Sequence, residues 1–432
     1  MKDHVAATYL IETPLAVEHA AEVIAGEQSC GTFARVAGET GELRARHRAQ
    51  VESIKVLETR DAPSLPGSRV PPGAGHLEYT RAKVVVSFPL DNMGTNLSTL
   101  VSTVAGNLYE LSEVSGLKLM DIEIPQAFRE RYSGPQFGVE GTRRLASVWG
   151  RPLIGTIIKP SVGLAPEQTA QLVREFAQAG IDFIKDDELM ANPPHSPLEK
   201  RVEAVMREIN SAAERTGKKV MYAFNITDDL DAMLRHHDAV VRAGGTCVMA
   251  SLNSVGLGGV SHLRRRCQLP IHGHRNGWGM LNRCPSLGMD FAPYQKLWRL
   301  AGVDHLHVNG LKNKFWEPDE SVIRSVKACL QPLLGGCPIM PVISSGQWGG
   351  QAPETYRLAG TVDLMYLAGG GIMAHPGGPA DGLRAIRQAW DAALQGVPLE
   401  IYADGRPELQ RAIRKFGSPS LREAVVKDHK SS

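Results

Sequence analysis

The stretch Gly180-Ile181-Asp182-Phe183-Ile184-Lys185-Asp186-Asp187-Glu188-Leu189 decides how the rest of the chain is read. Phe183-Ile184 suits a buried strand, and it ends in a lysine followed by three consecutive acids. Alternate side chains of a strand face opposite ways, so Lys185 and Asp187 share a face, and Glu188 can join them where the strand ends. Buried carboxylates are unfavourable without a partner. Oxygen ligands converging at a strand end are what a hard cation such as Mg²⁺ requires. Two readings stand at this point: a metal site, or a strand running into a solvated acidic turn.

Outward from this strand the rhythm is regular. Apolar runs recur at residues 153–158, 182–185, 220–225, 246–251, 269–274, 305–308, 339–344 and 364–368. Helical patterns lie between them. Residues 168–179 carry Leu172, Phe176 and Ala179 on one face, and residues 197–216 carry Val202, Val205, Met206 and Ile209 at helical spacing. Others run near 228–243, 293–301, 317–330, 353–359 and 379–394, and the weakest is 261–267, after the glycine-rich 253–259. This alternation predicts a (β/α)8 TIM barrel, with a doubly wound open sheet as the alternative.

Residues 1–135 lack that rhythm and predict a smaller α+β domain. Strands are expected at 6–12, 33–36, 50–58, 79–88 and 117–124, and helices at 14–25, capped by Thr13 with proline in the first turn, and at 96–106. Residues 63–75, rich in proline and glycine, predict a loop. The expected division is a domain over 1–135 and a barrel over 136–432, with a helix and then a charged tail from 407 onward.

A length of 432 residues suits a barrel plus a second domain, and 43% hydrophobic residues supply a large core. A net charge of +2 gives no electrostatic case for nucleic acid, and Arg264-Arg265-Arg266 reads as a solvated loop. Six scattered cysteines without metal-ligand spacing fit free thiols in a reducing cytoplasm. No signal peptide and no membrane-spanning apolar run is read in the sequence, so a cytoplasmic protein without a membrane partner is expected.

In a barrel of this kind the chemistry sits where strands end and the next loops begin. Lys159-Pro160-Ser161 ends the first strand; Lys159 is either an acid or base in an apolar mouth or a lysine reaching solvent. Asn225 ends the third, as a neutral ligand or hydrogen-bond donor. His272-Gly273-His274-Arg275 ends the fifth: the two histidines share a face, a pair more often structural than zinc-binding without a third ligand, and Arg275 is a candidate for a phosphate oxygen. His305-Leu306-His307 precedes a small polar loop with Lys314 near its tip, a candidate lid. Ser344-Ser345-Gly346 and Ala368-Gly369-Gly370-Gly371 follow the seventh and eighth strands, the usual phosphate position of the fold, although a glycine run alone is more often a turn. Together these groups imply a phosphorylated, oxygenated substrate and an enediolate or enolate formed beside Mg²⁺.

In this order the motifs resemble the large subunit of ribulose bisphosphate carboxylase (RuBisCO), from about Thr8 to about Gly378. Gly155-Thr156-Ile157-Ile158-Lys159-Pro160 resembles the family motif whose lysine acts in proton transfer. Phe183-Ile184-Lys185-Asp186-Asp187-Glu188 resembles its metal motif. The resemblance implies that Lys185 becomes a carbamate by adding CO₂ and holds one Mg²⁺ per site with Asp187 and Glu188. It further implies roles for His274 and Arg275, for His307 and the mobile-loop Lys314, and for Ser345, Gly346, Gly369 and Gly370 as phosphate-binding backbone. Glu27, Thr32 and Asn107 match residues that a partner subunit inserts, which implies a homodimer with shared sites.

Departures from the carboxylases are Ser161 in place of a second lysine, Trp278 in place of a histidine, Gln347 in place of a cradle glycine, and Phe33 in place of a tryptophan. They put a second phosphate site and CO₂ fixation on a bisphosphate in doubt, and make the chain more similar to the RuBisCO-like branch. The activity expected from the resemblance and the retained Lys314 is decarboxylation of 3-oxo-isoapionate 4-phosphate in sugar-acid catabolism. The alternatives are enolisation of 2,3-diketo-5-methylthiopentyl 1-phosphate or isomerisation of 5-methylthioribulose 1-phosphate, then a true carboxylase. A barrel retained for a regulatory or binding role is the non-enzyme alternative.

Overall fold

The structure, a computed structural model, describes residues 4–31, 36–70 and 77–428. Among these, thirteen strands follow in order: β1 (His4–Thr13), β2 (Gln50–Arg60), β3 (Tyr79–Pro89), β4 (Gly116–Glu123), β5 (Leu153–Ile157), β6 (Phe183–Lys185), β7 (Met221–Asn225), β8 (Cys247–Ser251), β9 (Ile271–His274), β10 (Leu287–Met289), β11 (His305–His307), β12 (Met340–Ile343) and β13 (Met365–Leu367). The chain divides into two compact units. One comprises Met1–Gly134, Gly277–Ala301 and Leu333–Gly336, and the other Pro135–Asn276, Gly302–Pro332 and Cys337–Ser432.

The first unit holds a five-stranded sheet in the order β10-β4-β1-β3-β2. β1 pairs antiparallel with β3 and β4, and Val5, Ala7, Tyr9 and Ile11 are all buried at period two. Two expectations are corrected here. Thr13 is not a helix cap. It stays in β1, where its hydroxyl donates to the Glu113 carbonyl at 2.5 Å, and the helix begins later, at Val17–Glu27. The 277–301 segment, expected with the barrel, groups with this unit, because β10 pairs in parallel with β4 at the sheet edge. Lys118 of β4, buried, donates to the carbonyls of Asn282 and Cys284, both at 2.8 Å, which fixes the inserted segment. The expected strand at 33–36 falls largely outside the described residues.

The second unit is a closed barrel of eight parallel strands, ordered β5-β6-β7-β8-β9-β11-β12-β13 and closing from β13 back to β5. The open sheet is therefore excluded. Its core draws on Leu153, Phe183, Met221, Ala223, Cys247, Met249, Met340, Val342, Met365 and Leu367, and Val139, Ala146 and Val148 pack against the same cluster. Each large apolar side chain buried here contributes about 1.5–3 kcal/mol. Gly155 in β5 has no room for a side chain: a Cβ would lie 2.5 Å from Leu367 and 2.7 Å from the Phe183 carbonyl. The weakest expected helix is in fact Leu252–Arg264, broken at Gly256, whose φ of 77° interrupts its helical backbone. The chain after 407 forms two helices, Pro407–Phe416 and Pro419–Asp428. Among the described residues no helix is long and apolar enough to cross a membrane.

Candidate active site

The carboxyl ends of the barrel strands bring the charged residues of the second unit together. Lys185, the last residue of β6, is 1% exposed. Its Nζ donates to the Asp186 carbonyl at 2.8 Å and lies 3.7 Å from Glu188 Oε2. Burial pushes its pKa below that of an ordinary lysine, against the opposing pull of Glu188, Asp187 and Asp186. Asp187 accepts from Lys159 Nζ at 2.5 Å and from the Leu189 N–H at 3.2 Å. Burial alone would raise its pKa; the hydrogen bonds from Lys159 and the Leu189 N–H, together with the charges of Lys185 and Lys159, outweigh that and hold the carboxyl low. Lys159 also donates to Ser161 Oγ at 2.7 Å, so the serine that departs from the carboxylase pattern orients the adjacent lysine. His274 Nε2 sits 3.5 Å from Glu188 Oε2, and burial drives its pKa down to about 4.

Asp186 faces away from this group. Its carboxylate accepts from Arg201 Nη2 at 3.2 Å and Nε at 3.3 Å, from Tyr222 OH at 2.6 Å and from the Asn225 N–H at 2.9 Å. Asn225 in turn donates through Nδ2 to the carbonyls of Asp187 and Glu188, both at 3.2 Å. Asn225 thus orients the acidic turn through its backbone. Arg201 was not legible as a site residue, although it interrupts the apolar stripe of Leu198, Val202 and Val205, a pattern that marks a buried charge in need of a partner.

Five hydrogen bonds run through the barrel interior with a fixed sense. Thr142 donates its hydroxyl to the Gly138 carbonyl, so it accepts from His305 Nε2 at 2.8 Å. His305 Nδ1 then accepts from His272 Nδ1 at 3.4 Å, His272 Nε2 from His307 Nε2 at 2.8 Å, and His307 Nδ1 from Ser344 Oγ at 3.1 Å. One hydroxyl therefore sets the tautomer of three neutral imidazoles. Burial keeps them neutral, with His305 at about 3 and His272 and His307 far below the usual histidine value.

Arg275 donates to Glu317 Oε2 at 2.7 Å, and both are buried. Asn309 donates to the same oxygen at 2.6 Å and accepts from Ser345 Oγ at 2.9 Å. Glu317 carried no distinctive sequence signal. Ser345 and Gly346 follow with φ of 72° and 83°, and the Ser345 carbonyl accepts from the Lys314 N–H at 3.4 Å. Lys314 is exposed, its ammonium 5.2 Å from the Phe315 ring centroid. Gln347 bridges the two loops, donating to the Leu311 carbonyl at 3.0 Å. At Gly370 a side chain would meet nothing within 4 Å, so this backbone is open to an approaching anion, while Gly369 has only Ile157 nearby.

Within the first unit, Glu27 ends the Val17–Glu27 helix and Asn107 begins a short turn; both are exposed. With its amide oriented to satisfy both ends, Gln28 donates to the Ser102 carbonyl at 2.8 Å and accepts from the Asn107 N–H at 3.2 Å. The two expected residues are thereby tied to one end of that unit. Thr32 and Phe33 lie outside the described residues.

Among the described residues no group of three His, Cys, Asp or Glu side chains converges as a metal cage. Asp187 and Glu188 supply two carboxylates beside Lys185, and a hard cation needs further oxygens. A carbamate on the buried Lys185 amine would add them.

Models of the RuBisCO large-chain N-terminal domain and catalytic domain match residues 1–128 and 138–416. The chain belongs to the ribulose bisphosphate carboxylase large-chain family. It is 56% identical over 415 residues to a 3-oxo-isoapionate-4-phosphate transcarboxylase/hydrolase of Xanthobacter autotrophicus, covering 96% of this chain and 99% of that one. It is 52% identical to a 3-oxo-isoapionate-4-phosphate decarboxylase of Rhizobium etli, covering 95% and 98%. The crystal structure of a RuBisCO-like protein from Burkholderia fungorum superposes with a TM-score of 0.89 at 50% identity, covering 96% of this chain and 100% of that one.

Proposed function

We propose that this RuBisCO-family barrel is a Mg²⁺-dependent carboxy-lyase that releases CO₂ from 3-oxo-isoapionate 4-phosphate through an enediolate. The observation that carries this reading is identity above 50% along nearly the whole chain to enzymes named for that substrate. The grouping of Lys159, Lys185, Asp187, Glu188 and His274 supports it.

In a β-keto acid the bond to the carboxylate breaks, its electrons pass into the carbonyl as an enediolate, and a site acid returns one proton to carbon. Lys185, Asp187 and Glu188 are the residues that would hold Mg²⁺, which when bound supplies Lewis-acid polarisation of the keto oxygen. Lys185, depressed in pKa by burial, keeps more of the neutral amine that adds CO₂ to form the carbamate. Lys159 is the candidate proton donor: Asp187 and Ser161 hold its Nζ in place. Neutral His274 donates or accepts a hydrogen bond at the substrate hydroxyls. Arg275 and the backbone of Ser345, Gly346, Gly369 and Gly370 bind the phosphate end, for which His307 has no free N–H because His272 and Ser344 engage both its ring nitrogens, and Lys314 closes over the carboxylate.

The same reading makes the protein a cytoplasmic homodimer in which Glu27, Thr32 and Asn107 complete the partner's site. The exposure of Glu27 and Asn107 supports this, as does the absence of disulfides among the six cysteines. Mixing inactive Glu27→Ala and Lys185→Ala proteins then restores activity, because one site in each mixed dimer is intact.

The deciding experiment is CO₂ release from 3-oxo-isoapionate 4-phosphate with Mg²⁺ and bicarbonate present, repeated after chelation. Metal-dependent release supports the reading. The similarity to the transcarboxylase/hydrolase favours a second one, in which the carboxyl carbon stays in a non-volatile product. Proton exchange on a methylthio sugar phosphate without gas release would move the assignment to an enolase or isomerase, and labelled CO₂ entering ribulose bisphosphate to a carboxylase.

A further inference from the structure

A second cationic centre lies at the opposite end of the same strands. A cavity of about 430 Å³ is lined by Arg151, Gly180, Lys218, Arg387 and Asp391, among others. Arg151 precedes β5, Lys218 precedes β7, and Arg387 comes from the Pro379–Gln395 helix. All three cations turn toward one carboxylate, Asp182, which is fully buried just before β6. Arg151 clasps it with Nη1 at 2.5 Å and Nη2 at 2.9 Å, Lys218 donates to Oδ1, and Arg387 Nη2 stands 3.8 Å from Oδ1. Asp182 also accepts from the Ile154 N–H at 2.8 Å.

One carboxylate cannot neutralise three cations, and Asp391 brings the fixed negative charge to only two. Arg387 spends Nη2 on the Gly180 carbonyl, and its Nε is buried without an acceptor. Lys218 and Arg387 are both shifted below their ordinary pKa values, first by burial, with Arg151 among the charges pushing the same way. A cage of fixed cations in surplus, around a void larger than a water site, is arranged for an anion with several acceptor oxygens.

We propose that this cavity at the amino-terminal mouth of the barrel binds a phosphomonoester or free phosphate, at a site separate from the reaction centre. Its tetrahedral oxygens would accept from Lys218 and the two guanidinium groups while Asp182 holds the cage together. The site is joined to the reaction centre by β6: Asp182 immediately precedes the strand and Lys185 ends it, about 10 Å along the backbone. Binding at one end thus bears on the strand that carries the reactive lysine. The assignment does not depend on which reaction the barrel catalyses.

The test is calorimetric titration of the full-length protein with inorganic phosphate, glycerol 3-phosphate and sulfate. An Arg275→Ala protein removes the cationic side chain assigned to the phosphate at the reaction centre. Against that background, phosphate binding should persist, be lost on adding Arg387→Met, and weaken at least tenfold on adding Thr216→Glu. Thr216 lines the cavity but is exposed, so a carboxylate there repels an anion without dismantling the cage, and it decides the matter where Arg387→Met fails to fold. In the otherwise native protein, Arg387→Met should leave the rate of the barrel's reaction unchanged when no phosphate is added. Preference for glycerol 3-phosphate over inorganic phosphate names an ester as the ligand, and the reverse names the free ion. Persistence of phosphate binding in both cavity variants, its complete loss in Arg275→Ala alone, or sulfate binding as tightly as either phosphate probe would overturn the proposal.

Discussion

Arg201→Met isolates the support beneath the acidic turn. The Arg201 side chain is fully buried; besides its two bonds to Asp186, it donates to the Ser196 carbonyl at 2.7 Å, Ser196 Oγ at 3.2 Å and the carbonyls of Met190 and Ala191 at 3.0 and 2.5 Å. Methionine keeps much of the stem volume and removes every donor. The Asp186 carboxylate then keeps Tyr222 and the Asn225 N–H but loses the guanidinium paired with it. Breaking a buried pair in this way costs about 3–5 kcal/mol. At about 2–4 °C per kcal/mol, thermal melting followed by circular dichroism should fall on the order of 10 °C. Asp186→Asn in the same protein removes the stranded charge; its single amide oxygen still accepts from the Asn225 N–H, and its NH₂ can donate to the Tyr222 hydroxyl, which in the parent donates to the other carboxylate oxygen. The double variant should therefore melt above Arg201→Met and show a coupling of about 2 kcal/mol or more. If Arg201→Met melts within about 2 °C of the parent, or the double variant is no better than the single one, the stranded-charge reasoning is wrong.

Lys185→Ala should abolish CO₂ release, and incubation with bicarbonate and Mg²⁺ should accelerate the parent protein but not this variant. Lys314→Met should lower kcat/KM about 10–100-fold, the worth of one hydrogen bond to a charged group, without changing the melting temperature. Stability should fall with acid: His274 at about 4 and His305 at about 3 refuse protons that the unfolded chain binds from about pH 6.5 downward. Folded values lie below unfolded ones, so the loss accumulates as pH drops through that window, by about 1.4 kcal/mol per unit for each histidine. Melting between pH 7 and pH 5 reads the slope, and His305→Gln should flatten it.

The barrel was legible because strands buried on both faces read as unbroken apolar runs between amphipathic helices. The proximity of Lys185 and Glu188 was legible because a strand ending in a lysine and acids gathers its charges at its carboxyl end, although the strand stops at Lys185 and period two does not reach Asp187. β10 was not: Leu287-Gly288-Met289 is short, contains a glycine, and takes its partner from β4, far away in sequence. The Thr13 cap failed because a carbonyl 100 residues away competes for its hydroxyl. The Arg275–Glu317 pair and the directed histidine line also arise from contacts between strands, which local pattern does not encode.

The inserted segment bearing β10 also limits how this protein can be taken apart. Residues 1–134 look like a module that could be cut out, fused or exchanged at one seam. Lys118, however, finds its carbonyl partners at Asn282 and Cys284, so a single cut leaves a buried ammonium unsatisfied and a sheet edge bare. The small unit is complete only when the chain has left for the barrel and returned. Recombination between relatives must therefore carry at least the stretches encoding residues 1–134 and 277–301 together, and a chimera joined once should express poorly.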